Sequence, residues 1–266
     1  MYPTPVSNVA TGGHSTARPV DILGVRVDDV TYAEALAILL NALDAHVPHV
    51  VTTPNPEFVM LARRDRQFRA VLNRAALNIP DGIGLVLAAR LAGDRLREHV
   101  QGTDLVLMLA SASVRRGDRW FLLGGQGDVA RRAARALERD FPGLRIAGAA
   151  PGSPLPRDDA ATHAAIRAAG RVDVLLVAYG APKQELWLDR NLAALDIPVG
   201  IGVGGVFNYF SGTTPRAPRW VRRLHFEWLH RLLTQPWRWR RQLALPVFGV
   251  LAVSHAARRR LRPRIG

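Results

Sequence analysis

Val172-Asp-Val-Leu-Leu-Val-Ala-Tyr-Gly180 is apolar at nearly every position, and Pro198-Val-Gly-Ile-Gly-Val-Gly-Gly205 repeats that character in smaller residues. A strand with no polar face cannot lie at a surface. It must be covered on both sides, and a parallel sheet between two layers of helices provides that cover. The helices are also readable. Val30 to Leu43 begins one, with Thr31 as N-cap and Glu34 three residues on to complete a capping box. Glu57 to Asn73 has helical spacing, and Pro56 suits its first turn. Further helices are expected over 83–91, 102–113, 128–141, 159–169 and 181–195, and further strands over 21–28, 49–53, 76–80, 120–127 and 144–149. Strand and helix alternate, so the predicted fold is α/β, a Rossmann-like, mostly parallel sheet with helices on both faces.

Ligands of such sheets sit beyond the carboxyl ends of the strands. Here those ends are Thr53-Pro-Asn-Pro, Asp81-Gly, Gly124-Gly-Gln-Gly, Tyr179-Gly-Ala-Pro-Lys-Gln and Gly202-Val-Gly-Gly, and all five are expected on one rim. Asp81, pinned between Pro80 and Gly82, is the best placed reacting group. From local chemistry it reads equally well as a helix N-cap. Thr53 and Asn55 read either as site residues or as closers of a turn. Gly124, Gly125 and Gly127 form either a phosphate cradle or a plain tight turn, with the wrong spacing for a Walker A loop or a dinucleotide fingerprint. Lys183, Gln184 and Glu185 open a helix. Glu185 suits the helix dipole there, whereas Gln184 has no obvious structural duty.

Charge divides the chain. Of 36 basic and 22 acidic residues, thirteen arginines and one glutamate fall after Thr214, so this tail carries +12 while everything before it carries +2. We divide the chain into a flexible leader (1–19), a Rossmann-like core (20–212) and a basic, tryptophan-rich appendage outside the sheet (213–266). In the appendage, 216–233 is helical with Trp220, Leu224, Trp228 and Leu232 on one face, Pro236 breaks it, and Leu243 to Val253 is an apolar run flanked by arginines. Such a tail suits nucleic acid, an anionic membrane surface or a plain solvated face. The apolar run favours the membrane. At about 16 Å it is too short to cross a bilayer core of about 30 Å. No apolar leader segment suggests a signal peptide.

Absence of cysteine excludes disulfides, thiolate metal sites and thiol nucleophiles. The histidines lack metal spacing, and no Gly-x-Ser-x-Gly elbow is present. Metal and serine hydrolases are poor readings, and a nicotinamide oxidoreductase lacks its glycine fingerprint.

Thr53-Pro-Asn-Pro-Glu-Phe-Val-Met, Ile79-Pro-Asp-Gly-Ile-Gly, Phe121-Leu-Leu-Gly-Gly, Tyr179-Gly-Ala-Pro-Lys-Gln-Glu-Leu-Trp, Gly202-Val-Gly-Gly and Arg216-Ala-Pro-Arg-Trp together resemble, in this order, the WecG/TagA/CpsF family of bacterial glycosyltransferases over about residues 20–245. The resemblance implies an inverting transferase at the inner face of the cytoplasmic membrane. It would move a sugar from a UDP-sugar to a polyprenyl-diphosphate-linked sugar for teichoic acid, common antigen or exopolysaccharide, without a cofactor or catalytic metal. N-acetylmannosamine, its uronic acid and glucose are the donor sugars within the family. By this resemblance Asp81 is the base, Thr53 and Gln184 are implicated in activity, and Arg216, Arg219, Arg222 and Arg223 close over the diphosphate. Asn55, Gly124, Gly125, Tyr179, Lys183 and Gly204 are the remaining candidates for substrate contact. The partners implied are the UDP-sugar, the lipid-linked acceptor and an anionic membrane surface met by 213–266, with no nucleic acid. Asn208 and Pro54 depart from the family pattern and bear on donor preference.

Overall fold

A computed structural model describes residues 19–218, 220–221, 227–234 and 239–261. The leader up to residue 18, and Arg219, Arg222, Arg223, Leu224 and Pro236 of the appendage, lie outside the described residues.

The segment expected as one strand over 21–28 is a hairpin, β1 (Val20–Ile22) with β2 (Val25–Val27). Its two-residue turn places Leu23 and Gly24 at φ 55° and 91°, both left-handed, as a tight hairpin requires. Helix α1 (Tyr32–Ala45) begins with the predicted Thr31–Glu34 capping box. A six-stranded parallel sheet follows: β3 (His49–Thr52), β4 (Leu77–Asn78), β5 (Arg119–Gly124), β6 (Arg145–Ala150), β7 (Val174–Ala178) and β8 (Val199–Gly202). The spatial order is β4-β3-β8-β7-β5-β6.

Side-chain alternation explains the layers. Leu122, Leu176 and Ile201 are register partners across β5, β7 and β8 and point into one core cluster, with Leu39 of α1 and with α5 (Gly102–Arg116) and α6 (Val129–Asp140). Their neighbours Phe121, Leu123, Leu175 and Val177 point into the opposite cluster, shared with α7 (Asp159–Ala168) and α8 (Lys183–Asn191). Gly200 lies on this second face, where a Cβ would come within 2.6 Å of Leu192 and 2.7 Å of Leu188. A glycine therefore sets how closely α8 lies on β8. The predicted Rossmann-like sheet is the one observed.

The stretch expected as one helix over 57–73 is two, α2 (Pro56–Ala62) and α3 (Arg66–Arg74). Asp65 restarts the second by accepting from Phe68 N–H at 2.9 Å, which lets Phe68 turn fully inward. Helix α4 (Ile83–Leu91) packs beside them, and α9 (Val206–Phe210) follows β8. After α10 (Glu227–Thr234) and α11 (Trp239–Gln242), the expected short apolar run is part of a longer helix, α12 (Ala244–Leu261). Its 18 residues span about 27 Å. It stays outside the sheet but is docked. Phe248 and Ala252 join a third core cluster with the hairpin, Phe58 and Met60 of α2, and Leu85 and Ala88 of α4.

Leu176 is fully buried at the centre of the sheet. Leu176→Ala should lower unfolding free energy by about 2–5 kcal/mol in a denaturant titration, since transfer and cavity terms add there. A change below about 1 kcal/mol would contradict the packing described.

Candidate functional site

The carboxyl ends of β3, β4, β7 and β8 open into one cleft. Each end is shaped by short-range chemistry. After β3, Pro56 occupies the first turn of α2, and Asn55 caps that helix by accepting from Phe58 N–H at 3.0 Å. After β4, the Asp81 turn is held from two sides. Asp81 N–H donates to the carbonyls of Ile79 (2.9 Å) and Pro54 (3.0 Å), while Val100 N–H donates to Pro80 carbonyl at 3.1 Å. Pro54 thus contributes a backbone acceptor to the Asp81 turn.

Glycines let these turns meet. Gly82 sits at φ 125°, a backbone conformation that side chains rarely adopt, and a Cβ there would stand a tight 3.3 Å from Pro56 Cδ. At Gly84 a Cβ would come within 2.8 Å of Pro56 Cγ, and at Gly102 within 2.8 Å of Thr53 Cγ2 and 3.7 Å of Asp81 Oδ2. Thr53, Asp81 and the start of α5 are therefore gathered at one point, and all three line the cleft.

Asp81 is not the helix cap that local chemistry allowed. Gly82 occupies the N-cap position of α4. The Asp81 carboxylate is 33% exposed, with His99 Nε2 3.7 Å from its Oδ1 and the His99 side chain only 12% exposed. His99 and Gly102 escaped the sequence reading, as did Tyr209, which lines the cleft from α9. They lie 18, 21 and 128 residues after Asp81, in no shared pattern.

Gln184 does have a structural duty. Its side chain is buried in the floor, and its Oε1 accepts from Gly180 N–H (3.0 Å) and Gly204 N–H (2.9 Å). Its Nε2 donates to Glu185 Oε1 at 2.7 Å. Gly204 lines the cleft, but its N–H is taken by this bond.

Other predicted residues sit elsewhere. Gly124 and Gly125 are outside the cleft lining. A Cβ at Gly124 would be 2.8 Å from the Ala178 carbonyl carbon, and Gly125 N–H donates to Ala178 oxygen at 3.2 Å, so these glycines serve the close passage of β5 beside β7. Lys183 is exposed at the start of α8 and Tyr179 packs edge-on against Trp187 with centroids 6.1 Å apart; neither lines the cleft. Burial pushes the Tyr179 phenol pKa well up. Asn208 is also off the lining, its carbonyl accepting from Thr214 N–H at 3.0 Å. Arg216 reaches the rim, with Nη2 2.7 Å from Asp104 Oδ1 and 3.3 Å from Gln101 Oε1, on either side of the lining residues Gly102 and Thr103. Among the described residues, no group of three or more His, Asp or Glu side chains is arranged to hold a metal.

A partly exposed carboxylate thus faces a cleft beyond the carboxyl ends of a parallel sheet, with Arg216 at its rim. Comparison with known proteins gives the class. The model of the glycosyl transferase WecG/TagA/CpsF family matches residues 20–262, and the chain belongs to that family of glycosyltransferases. It is 34% identical over 212 residues, 80% of this chain and 82% of the relative, to the N-acetylglucosaminyldiphosphoundecaprenol N-acetyl-beta-D-mannosaminyltransferase of Bacillus subtilis (strain 168). The enzyme of the same name from Bacillus spizizenii is 35% identical over 213 residues, 80% of this chain and 82% of the relative. That of Staphylococcus aureus (strain NCTC 8325) is 28% identical over 236 residues, 88% of this chain and 92% of the relative.

Glu185, beside Gln184 at the cleft, carries a carboxyl whose titration is clearly displaced. Complete burial pushes its pKa up to about 7. A carboxyl raised in the folded state stabilises the fold fully below its unfolded value and loses that contribution as pH rises through the folded value. Between about pH 4.5 and 7 the loss should approach about 3 kcal/mol, at about 1.4 kcal/mol per unit. Unfolding of the wild type at pH 5 and pH 8 should show this drop, and Glu185→Gln should lack that part of it. Parallel pH dependence in the two proteins would refute the burial cost.

Proposed function

We propose that this glycosyltransferase moves a sugar of the N-acetylmannosamine type, or a related hexose, from a UDP-sugar to a polyprenyl-diphosphate-linked sugar, with inversion. The observation that carries the proposal is Asp81. It presents a partly exposed carboxylate to the cleft, beside Thr53 and Gly102, in a chain one-third identical to enzymes named for transfer to N-acetylglucosaminyldiphosphoundecaprenol. Their β-linked product fits inversion of an α-linked nucleotide donor. Supply of surface polysaccharide such as teichoic acid is the role in keeping with those names.

In this mechanism the acceptor hydroxyl enters the cleft and gives its proton to Asp81 as its oxygen attacks the anomeric carbon. The bond from that carbon to the diphosphate oxygen breaks, and UDP leaves with the electron pair. A positioned base of this kind contributes about 10²- to 10⁴-fold. The departing diphosphate needs cations, which guanidinium groups supply with a fixed fork geometry. Arg216 stands at the rim, and Arg219, Arg222 and Arg223 follow it three, six and seven residues on.

The acceptor lipid brings the enzyme to a membrane. Among the described residues, no helix is long and apolar enough to cross one. Surface attachment is supported by α12. Phe248, Ala252 and Ala256 face the protein, while Val247, Val250 and Val253 occupy the opposite face and are exposed, Val250 at 67%. On the neighbouring α4, Leu87 and Leu91 are also exposed, and exposed Arg90, Arg258 and Arg259 lie beside these apolar residues in sequence. Apolar residues flanked by arginines suit the interface of an anionic leaflet. We place the enzyme peripherally on the inner face of the cell membrane.

Asp81→Asn should leave the unfolding midpoint unchanged and lower UDP release, with a prenyl-diphosphate sugar as acceptor, by about 100-fold or more. Wild-type turnover would put the base elsewhere. Val250→Asp should reduce cosedimentation with vesicles containing anionic phospholipid while the protein stays folded. Undiminished cosedimentation would remove α12 from the membrane contact.

A further inference from the structure

The Gln184–Glu185 pair is an unusual use of buried polarity. The two side chains are 1% and 0% exposed. Glu185 Oε1 takes the Gln184 amide, and Oε2 is buried with no hydrogen-bond partner among the described residues. Burying a carboxyl so incompletely satisfied is unfavourable, and an apolar side chain of equal volume would sit there at less cost. A task beyond packing accounts for it.

We propose that Glu185 is a positioning residue for glycosyl transfer: its buried carboxyl fixes the Gln184 amide in the one orientation that ties together the two cleft-lining loops at Gly180 and Gly204. Strands β7 and β8 pair up to Val177 and Gly202, and Val203 N–H still reaches Val177 carbonyl at 2.9 Å. Beyond that point the sheet ladder stops. Gln184 Oε1 takes over as the bridge, accepting one N–H from each loop. An amide turned over by half a rotation would aim its NH₂ at those two donors. The two N–H donors already disfavour that flip, and Glu185 Oε1, accepting on the nitrogen side, secures the other end of the amide. Gly202 is cut to fit the pair: a Cβ there would be 2.8 Å from Gln184 Nε2 and 3.0 Å from Glu185 Oε1.

Both bridged loops continue directly into cleft wall, at Ala181 and Gly205. Their spacing bears on the shape of the cleft that Asp81 also lines, and small displacements of a reacting geometry are costly in rate. The inference rests on the reading that transfer takes place in this cleft.

The test is an exchange of the two functional groups, followed by kcat, KM and unfolding midpoint with UDP release as the readout. Gln184→Glu sets oxygen against oxygen and should lower kcat by about 10- to 100-fold. Glu185→Met, which keeps the volume but removes the acceptor, should act in the same direction, and Glu185→Gln should retain more kcat than Glu185→Met. The double variant Gln184→Glu/Glu185→Gln restores an acceptor toward the two glycines and a donor–acceptor contact between the side chains. It should recover kcat to within a few-fold of wild type, from a parent that lost it. Recovery of the unfolding midpoint without recovery of kcat would overturn the proposal and leave a stability role only. A double variant as slow as Gln184→Glu, or a Glu185→Met enzyme with wild-type kcat, would also overturn it. Asp81→Asn serves as the separate arm: if it turns over normally, the reading of the cleft fails, whatever the exchange shows.

Discussion

Three turns from distant parts of the chain meet within van der Waals contact at Asp81, and they do so because Gly82, Gly84 and Gly102 have no side chains. Each absent Cβ is a contact made elsewhere: Pro56 fills the space beside Gly82 and Gly84, and Thr53 fills that beside Gly102. The rigidity of Pro54 and Pro56 makes this a contact between stiff parts. The carboxylate is then held by its own backbone, through the carbonyls of Ile79 and Pro54, and its side chain is left to the cleft. An acid that caps a helix has its oxygens occupied; an acid displaced by one residue from the cap position has them available.

The charge distribution complements this arrangement. The core is close to neutral and the last fifth of the chain is strongly basic. Arg216 is the point at which the two meet, anchored to Asp104 beside the lining residues of α5. A departing diphosphate and an anionic lipid surface, the two partners we propose, both call for cations, and the basic segment carries them.

Much of this was legible in the residues. The sheet followed from strands apolar on both faces, the α1 cap from Thr31 and Glu34, and the cleft from the rule that ligands sit beyond strand ends. What was not legible has physical reasons. The break between α2 and α3 has neither glycine nor proline; Asp65 makes it, and a capping aspartate inside a helical pattern looks like a surface charge. For Gly124 and Gly125 the residues left two readings, because a left-handed backbone with no Cβ suits an anion and the close passage of β5 beside β7 equally well. Gln184 and Glu185 could not be understood singly, since the partners of the amide come from two loops twenty residues apart. His99 and Gly102 belong to the site only through folding, with no local pattern to mark them.

The docking of α12 has a practical consequence. Phe248 and Ala252 complete a cluster whose other members include Phe58, Met60, Leu85 and Ala88. A chain shortened before this helix would not be the core minus an accessory. It would expose a new apolar groove along α2 and α4, the two helices that carry the Asp81 and Thr53 turns at their N-terminal ends. Solubility, oligomeric state and activity of such a shortened chain would then reflect that groove as much as the loss of arginines, so the segment is better dissected by single substitutions on its outward face.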